Sequence, residues 1–239
     1  MKCCRWLYLG YYFYDFLGYF LIIVASIITL LAEYYVRSNH GKYKKIISKN
    51  KMSGQEVARL ILDRNGLDDV YVIEISGVLT DYYDSNRKVV KLSSEVFHGN
   101  SISSIAVASH EVCHAIQDKE GYAMLRLRGA LFPYVSFASK FGYLAIFLGF
   151  IFGYLQLAWF GVTLLGVILL FQLVTLPVEF DASRRALKII KDMKILNSNE
   201  MDCCYQVLKA AAFTYVASLV TTILELLRLI IMINGRDDN

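Results

Sequence analysis

The sequence predicts a mainly α-helical integral membrane protein with about four transmembrane helices, a helix bearing His-Glu-x-x-His, and a small antiparallel β-sheet on the cytoplasmic side. Three observations carry this reading. Of 239 residues, 56% are hydrophobic and 19% charged, which is too apolar for an ordinary soluble domain. Uncharged runs long enough to cross a bilayer recur along the chain. Between Ser38 and Gly99 the composition changes to that of a small water-facing segment, and the histidine motif follows it directly.

The first span is Phe16 to Ala32, FLGYFLIIVASIITLLA, which holds no charge and which Tyr11 to Phe13 extend towards the roughly 20 residues a bilayer requires. It reads as uncleaved, because the run leads straight into Glu33-Tyr34-Tyr35 without a small-x-small cleavage site. Ser53-Gly54-Gln55-Glu56 is a capping box that opens a short helix with Val57, Leu60 and Ile61 on one face, and Asn65-Gly66 ends it. Val70 to Ile75, Val78 to Thr80 and Lys88 to Leu92 read as short strands. An edge of such a sheet either adds an extended peptide as a further strand or only supports the helix that follows. Asn100 or Ser101 can cap that helix, which runs to about Lys119.

Phe141 to Phe180 has no charge before Glu179 and is long enough for a helical hairpin turning near Gly153-Tyr154-Leu155-Gln156. The last run, Ala210 to Ile233, is long enough to cross; Glu225 and Arg228 are spaced to pair on one face, and a buried or interfacial helix is the alternative. The chain thus divides into an N-terminal anchor (1–37), a water-facing segment with the motif (38–140), a transmembrane hairpin (141–178), a second water-facing segment (179–209) and a C-terminal transmembrane helix and tail (210–239).

Only Lys2 and Arg5 precede the first span, whereas Arg37, Lys42, Lys44, Lys45, Lys49 and Lys51 follow it, so the middle of the chain is expected in the cytoplasm of a multi-pass cell-membrane protein. Arg184, Arg185, Lys188, Lys191 and Lys194 after the hairpin agree. The net charge of +4 therefore reflects topology, and no basic–aromatic alternation points to nucleic acid. Cys3, Cys4, Cys113, Cys203 and Cys204 are odd in number and lack C-x-x-C spacing, which predicts reduced thiols, with Cys113 a packing residue.

His110-Glu111-x-x-His114 is expected roughly once in four hundred random chains of this composition, so accident is disfavoured. On a helix, positions i and i+4 share a face; both imidazoles can reach one ion while Glu111 points at its open side. A catalytic zinc site needs a third protein ligand. His98 must turn back from just before the helix, and His40 lies near the first membrane exit. Glu179 is better placed, directly after Pro177, although an interfacial carboxylate paired with Arg184 or Arg185 would look the same. Two crossings separate it from the motif, so both lie on one membrane face and the geometry is permitted.

These segments, together with Ser76-Gly77-Val78-Leu79-Thr80-Asp81 and Leu173 to Leu187 (LVTLPVEFDASRRAL), resemble the bacterial membrane-bound neutral zinc metallopeptidases of the YugP-like family, over roughly Ser53 to Ile233. A more distant similarity is to the HtpX and CAAX prenyl proteases, in which a glutamate after a membrane helix completes a His-Glu-x-x-His zinc site. The resemblance implies a zincin-like segment at 38–140 and one Zn²⁺ held by His110, His114 and Glu179. Glu111 would be the general base for hydrolysis of membrane or membrane-proximal polypeptides.

The resemblance also marks three departures, one of them Cys113 where members of the family usually have glycine. The aspartate that supports the site four residues beyond the glutamate is here Ser183, leaving Asp181, Ser183 and Arg184 as candidate supports. Tyr82 stands where the family segment often has histidine and is a candidate oxyanion donor. A non-catalytic membrane adaptor with a structural zinc is the competing reading, but a closed four-ligand site has no use for a base at Glu111. A small transporter is disfavoured because the other spans lack polar residues to line a path. Substrate identity and oligomeric state have no signature in the sequence.

Overall fold

The computed structural model describes the backbone of residues 3–237 and the side chains of residues 16–235. The side chains of Lys2, Cys3, Cys4 and Arg5 and those of Tyr11 to Phe13 lie outside the described residues. The order of elements is α1 (Cys3–Tyr43), α2 (Gly54–Arg64), β1 (Tyr71–Ile75), β2 (Tyr82–Asp84), β3 (Val89–Ser93), α3 (Ser94–His98), α4 (Ile102–Lys119), α5 (Ala123–Phe152), α6 (Leu155–Asp192) and α7 (Ser198–Asp237). Four helices, within α1, α5, α6 and α7, are long and apolar enough to cross a membrane, so the chain is a multi-pass membrane protein. It divides into two units.

One unit comprises residues 33–126 and 176–214. Here α2 begins at the capping box: Ser53 Oγ accepts from the Glu56 amide while the Glu56 carboxylate accepts from the Ser53 amide at 2.7 Å. The helix buries Val57, Ala58, Ile61 and Leu62, and Gly66, at φ 61°, ends it in a conformation that favours glycine. At Gly54 a side chain is excluded, since a Cβ there would lie 2.2 Å from the Val96 carbonyl oxygen. Against α2 pack α4, whose cap Ser101 accepts from the Ser104 amide, and the sheet residues Val90 and Leu92. Ala182, Ala186 and Ile190 of α6 complete the same core.

The sheet corrects the expected all-antiparallel arrangement. Its order is β1-β3-β2, with β1 parallel to β3 and β2 antiparallel to it. Val78 to Thr80 is a loop rather than a strand, and β2 forms instead at Tyr82–Asp84. Leu79 sits at φ 57°, outside strand geometry, and that turn delays the pairing.

The other unit comprises the residues up to 32, 127–175 and those from 215 on. The hairpin turns at Gly153, φ 70°. Small residues let α5 and α6 approach closely: a Cβ on Gly149 would come within 2.6 Å of the Ala158 amide, and one on Gly161 within 2.6 Å of the Gly142 carbonyl. Ile146, Val162, Leu165, Leu229 and Ile233 form the core, while Phe20, Ile23, Leu30, Phe147, Ile151 and Phe160 are exposed, as lipid contact requires. Glu225 accepts two hydrogen bonds from Arg228, at 2.6 and 2.9 Å, so the charges in this span are paired.

Candidate metal centre

Fourteen of the eighteen residues of α4 are buried, His114 and Glu111 among them. Burial on nearly all faces explains why the helix reads as apolar with isolated polar positions; of these, the Ser109 hydroxyl has no hydrogen-bond partner among the described residues. His110 and His114, one turn apart, stand with their rings edge to face at 4.8 Å. Facing them from α6 is Glu179, which is 2% exposed. His110 Nε2 is 3.2 Å from Glu179 Oε2 and His114 Nε2 is 3.7 Å from the same oxygen. The three ligand atoms lie within 4.8 Å of one another.

This donor set fits Zn²⁺. Bonds of about 2.0–2.1 Å at a tetrahedral angle place ligand atoms about 3.3–3.5 Å apart, close to the 3.2 and 3.7 Å that separate the Glu179 oxygen from the two imidazole nitrogens. Two imidazole nitrogens and one carboxylate oxygen are also the types zinc takes in open, three-ligand sites.

Glu111 is 9% exposed and buried beside the pair of imidazoles. Burial pushes its carboxyl above the usual carboxylate range, and the charges of His110 and His114 pull it partly back. His114 moves the other way from what burial dictates. Burial disfavours its charged form, but the hydrogen bond and charge of Glu179, with Glu111 nearby, raise its pKa overall.

The remaining expected residues are placed as follows. Ser183 Oγ lies 3.2 Å from His110 Nδ1, so the serine stands where the resemblance implies an aspartate and still touches the ring. Asp181 Oδ1 accepts from Arg184 at 2.7 Å and its Oδ2 from Arg185; these arginines therefore engage Asp181. Arg184 itself is 81% exposed. Tyr82 is engaged by Lys91, whose ammonium is 2.7 Å from the hydroxyl and 4.7 Å from the ring centroid. Of the other histidines, His98 faces Glu74 at 3.2 Å and His40 bridges Glu95 and Ser103, so neither joins the triad. Cys113 is fully buried with its thiol pushed up by burial, as a packing residue should be. Cys113, Cys203 and Cys204 are free thiols.

Sequence reasoning passed over Gln117. It is fully buried, its Oε1 2.9 Å from His114 Nδ1, while its Nε2 donates to the Val178 carbonyl at 3.0 Å and to Asp181 Oδ2 at 2.9 Å. The available signal was its place one helical turn after His114, on the same face.

Apolar spans together with two imidazoles, His114 buried and His110 partly buried, converging on a buried carboxylate define a membrane protein with a candidate metal centre. The chain belongs to the neutral zinc metallopeptidases: the family described as "Putative neutral zinc metallopeptidase" matches residues 18–234. It is 47% identical over 221 residues, 92% of this chain and 98% of the relative, to the "Putative membrane protease YugP" of Bacillus subtilis (strain 168). No solved structure matches it.

Proposed function

We propose that this chain is an active zinc-dependent endopeptidase of the cell membrane, with its site on the cytoplasmic side, acting on membrane or membrane-proximal polypeptides. The observation that carries the reading is the convergence of His110 Nε2, His114 Nε2 and Glu179 within 4.8 Å, with Glu111 buried beside them. Those three residues would hold one Zn²⁺, which supplies a Lewis acid able to lower the pKa of water from 15.7 towards about 7.

The chain's own groups do the rest. Glu111, held in a water-poor site that raises its proton affinity, accepts the proton of the attacking water and returns it to the leaving amine. Burial raises the proton affinity of this carboxyl above that of a free one, and the charges of the two imidazoles lower it. Asp181 and Ser183 are held against the ligand-bearing helix and the His110 ring respectively, and so support orientation. For the oxyanion, Tyr82 is the side chain to test.

The deciding experiment is the zinc content of the purified full chain, before and after chelation, alongside hydrolysis of unstructured casein. One zinc per chain, with activity lost on chelation and restored on zinc addition, is expected. Zinc without hydrolysis favours the adaptor reading, and no zinc refutes both.

A further inference from the structure

We propose that Gln117 is a positioning residue of this centre: it fixes which nitrogen of His114 bears the proton and ties that choice to the helix that supplies the carboxylate. The proposal rests on the zinc reading above.

The orientation of the Gln117 amide is forced. Its nitrogen lies against two groups that can only accept, the Val178 carbonyl and the Asp181 carboxylate, at 3.0 and 2.9 Å. Reversing the amide would set its oxygen against both, leaving three buried acceptors facing one another without a proton among them. The oxygen therefore faces His114 Nδ1 at 2.9 Å, and an oxygen there requires the proton to be on Nδ1. The lone pair is left on Nε2, the nitrogen turned towards Glu179. A buried amide with every polar atom engaged thus sets the histidine in its ligating form without a charge of its own.

The same contact joins two helices. Asp181, which receives the Gln117 amide, also takes Arg185, and Arg185 reaches Glu120 at the end of α4. Gln117, Asp181, Arg185 and Glu120 therefore stitch the last turn of α4 to α6 within one unit, one turn from His114. His110 has no such constraint, because the Ser183 hydroxyl beside its Nδ1 can either donate or accept. His114 is the fixed ligand and His110 the adaptable one.

The test uses the full chain in detergent micelles: wild type, Gln117→Met, which keeps length without hydrogen bonds, and Gln117→Glu, whose one oxygen keeps an acceptor for Nδ1–H while the other, protonated between the buried Val178 and Asp181 acceptors, keeps a donor towards them. Zinc affinity is measured by competition with a chromogenic chelator, and ¹⁵N-histidine spectra of the zinc-loaded protein report which nitrogen carries the proton. The expected results are Nδ1–H on His114 in the wild type, zinc binding about 10–100-fold weaker in Gln117→Met, and Gln117→Glu nearer to wild type than Gln117→Met. Nε2–H on His114 in the wild type overturns the proposal without any variant. Wild-type affinity in Gln117→Met, or equal losses in both variants, also overturns it. A wild type that takes up no zinc refutes the metal reading itself, which the wild-type measurement alone reveals.

Discussion

Replacing Glu179 by alanine is the sharpest perturbation of the centre, because it separates a metal ligand from a salt-bridging carboxylate. In the structure the side chain is 2% exposed and one oxygen lies 3.2 and 3.7 Å from the two Nε2 atoms. Its removal leaves two imidazoles one turn apart. Loss of groups that merely support a ligand weakens metal binding by about 10–100-fold, so loss of a direct ligand should exceed about 100-fold, or about 2.8 kcal/mol. A buried carboxylate that only paired with the two imidazoles would, once removed, cost fold stability but leave the metal in place. Zinc stoichiometry and affinity, with folding checked by circular dichroism, are compared with His98→Ala and Asp181→Ala. His98 faces only the half-exposed Glu74 and should bind as wild type; Asp181 acts through Gln117 and should lose no more than the supporting factor. If Glu179→Ala stays loaded while either of the others is emptied, the ligand has been assigned wrongly.

Glu111→Gln should keep its zinc yet lose at least about 10²–10⁴-fold in peptide hydrolysis; a metal-loaded variant that still cleaves casein at the wild-type rate refutes the base. Zinc loading should weaken on acidification towards and through the ordinary histidine range, about pH 6.5. The sign follows from His114, whose raised pKa lets the metal-free fold keep a stabilising proton that is lost as pH rises, so protons compete with zinc at the acid end. Proton release into a weak buffer on zinc addition checks it, and loading independent of pH in that window contradicts it. Single cysteines at Lys45 and Asn86, in a background stripped of native cysteines, should resist an impermeant thiol reagent in intact cells and react after lysis. Labelling before lysis reverses the topology.

Where a local rule governs, the sequence was readable almost to the residue. The helix expected from Ser101 to Lys119 is α4 with Ser101 as its cap, and the capping box at Ser53 forms with both of its hydrogen bonds. Glu179 was reachable through crossing parity and family likeness, both of which act at long range. What failed was also long-range. The parallel pairing of β1 with β3, past β2, is set by the core those strands share with α2 and α4, and no spacing in the strands encodes it. The edge of the apolar run near Pro177 lies within a few residues of the division between the two units at 175–176, and α6 runs through it to Asp192. Polarity records what surrounds a helix, and hydrogen bonding decides where it stops. Gln117 was missed for a similar reason: an amide on an apolar helix has no meaning until the acceptors facing it are known.

The two halves of the triad are 69 residues apart, and the whole apolar hairpin is made between them. During synthesis Glu111 and both imidazoles leave the ribosome first, and the carboxylate of Glu179 follows only after the residues of the hairpin. A chain that is unfinished, or whose hairpin has gone in with the wrong parity, is left with half a centre. On the proposed function, hydrolytic competence would be postponed until insertion is complete, and the machinery that inserts the chain would be spared a protease that works too early.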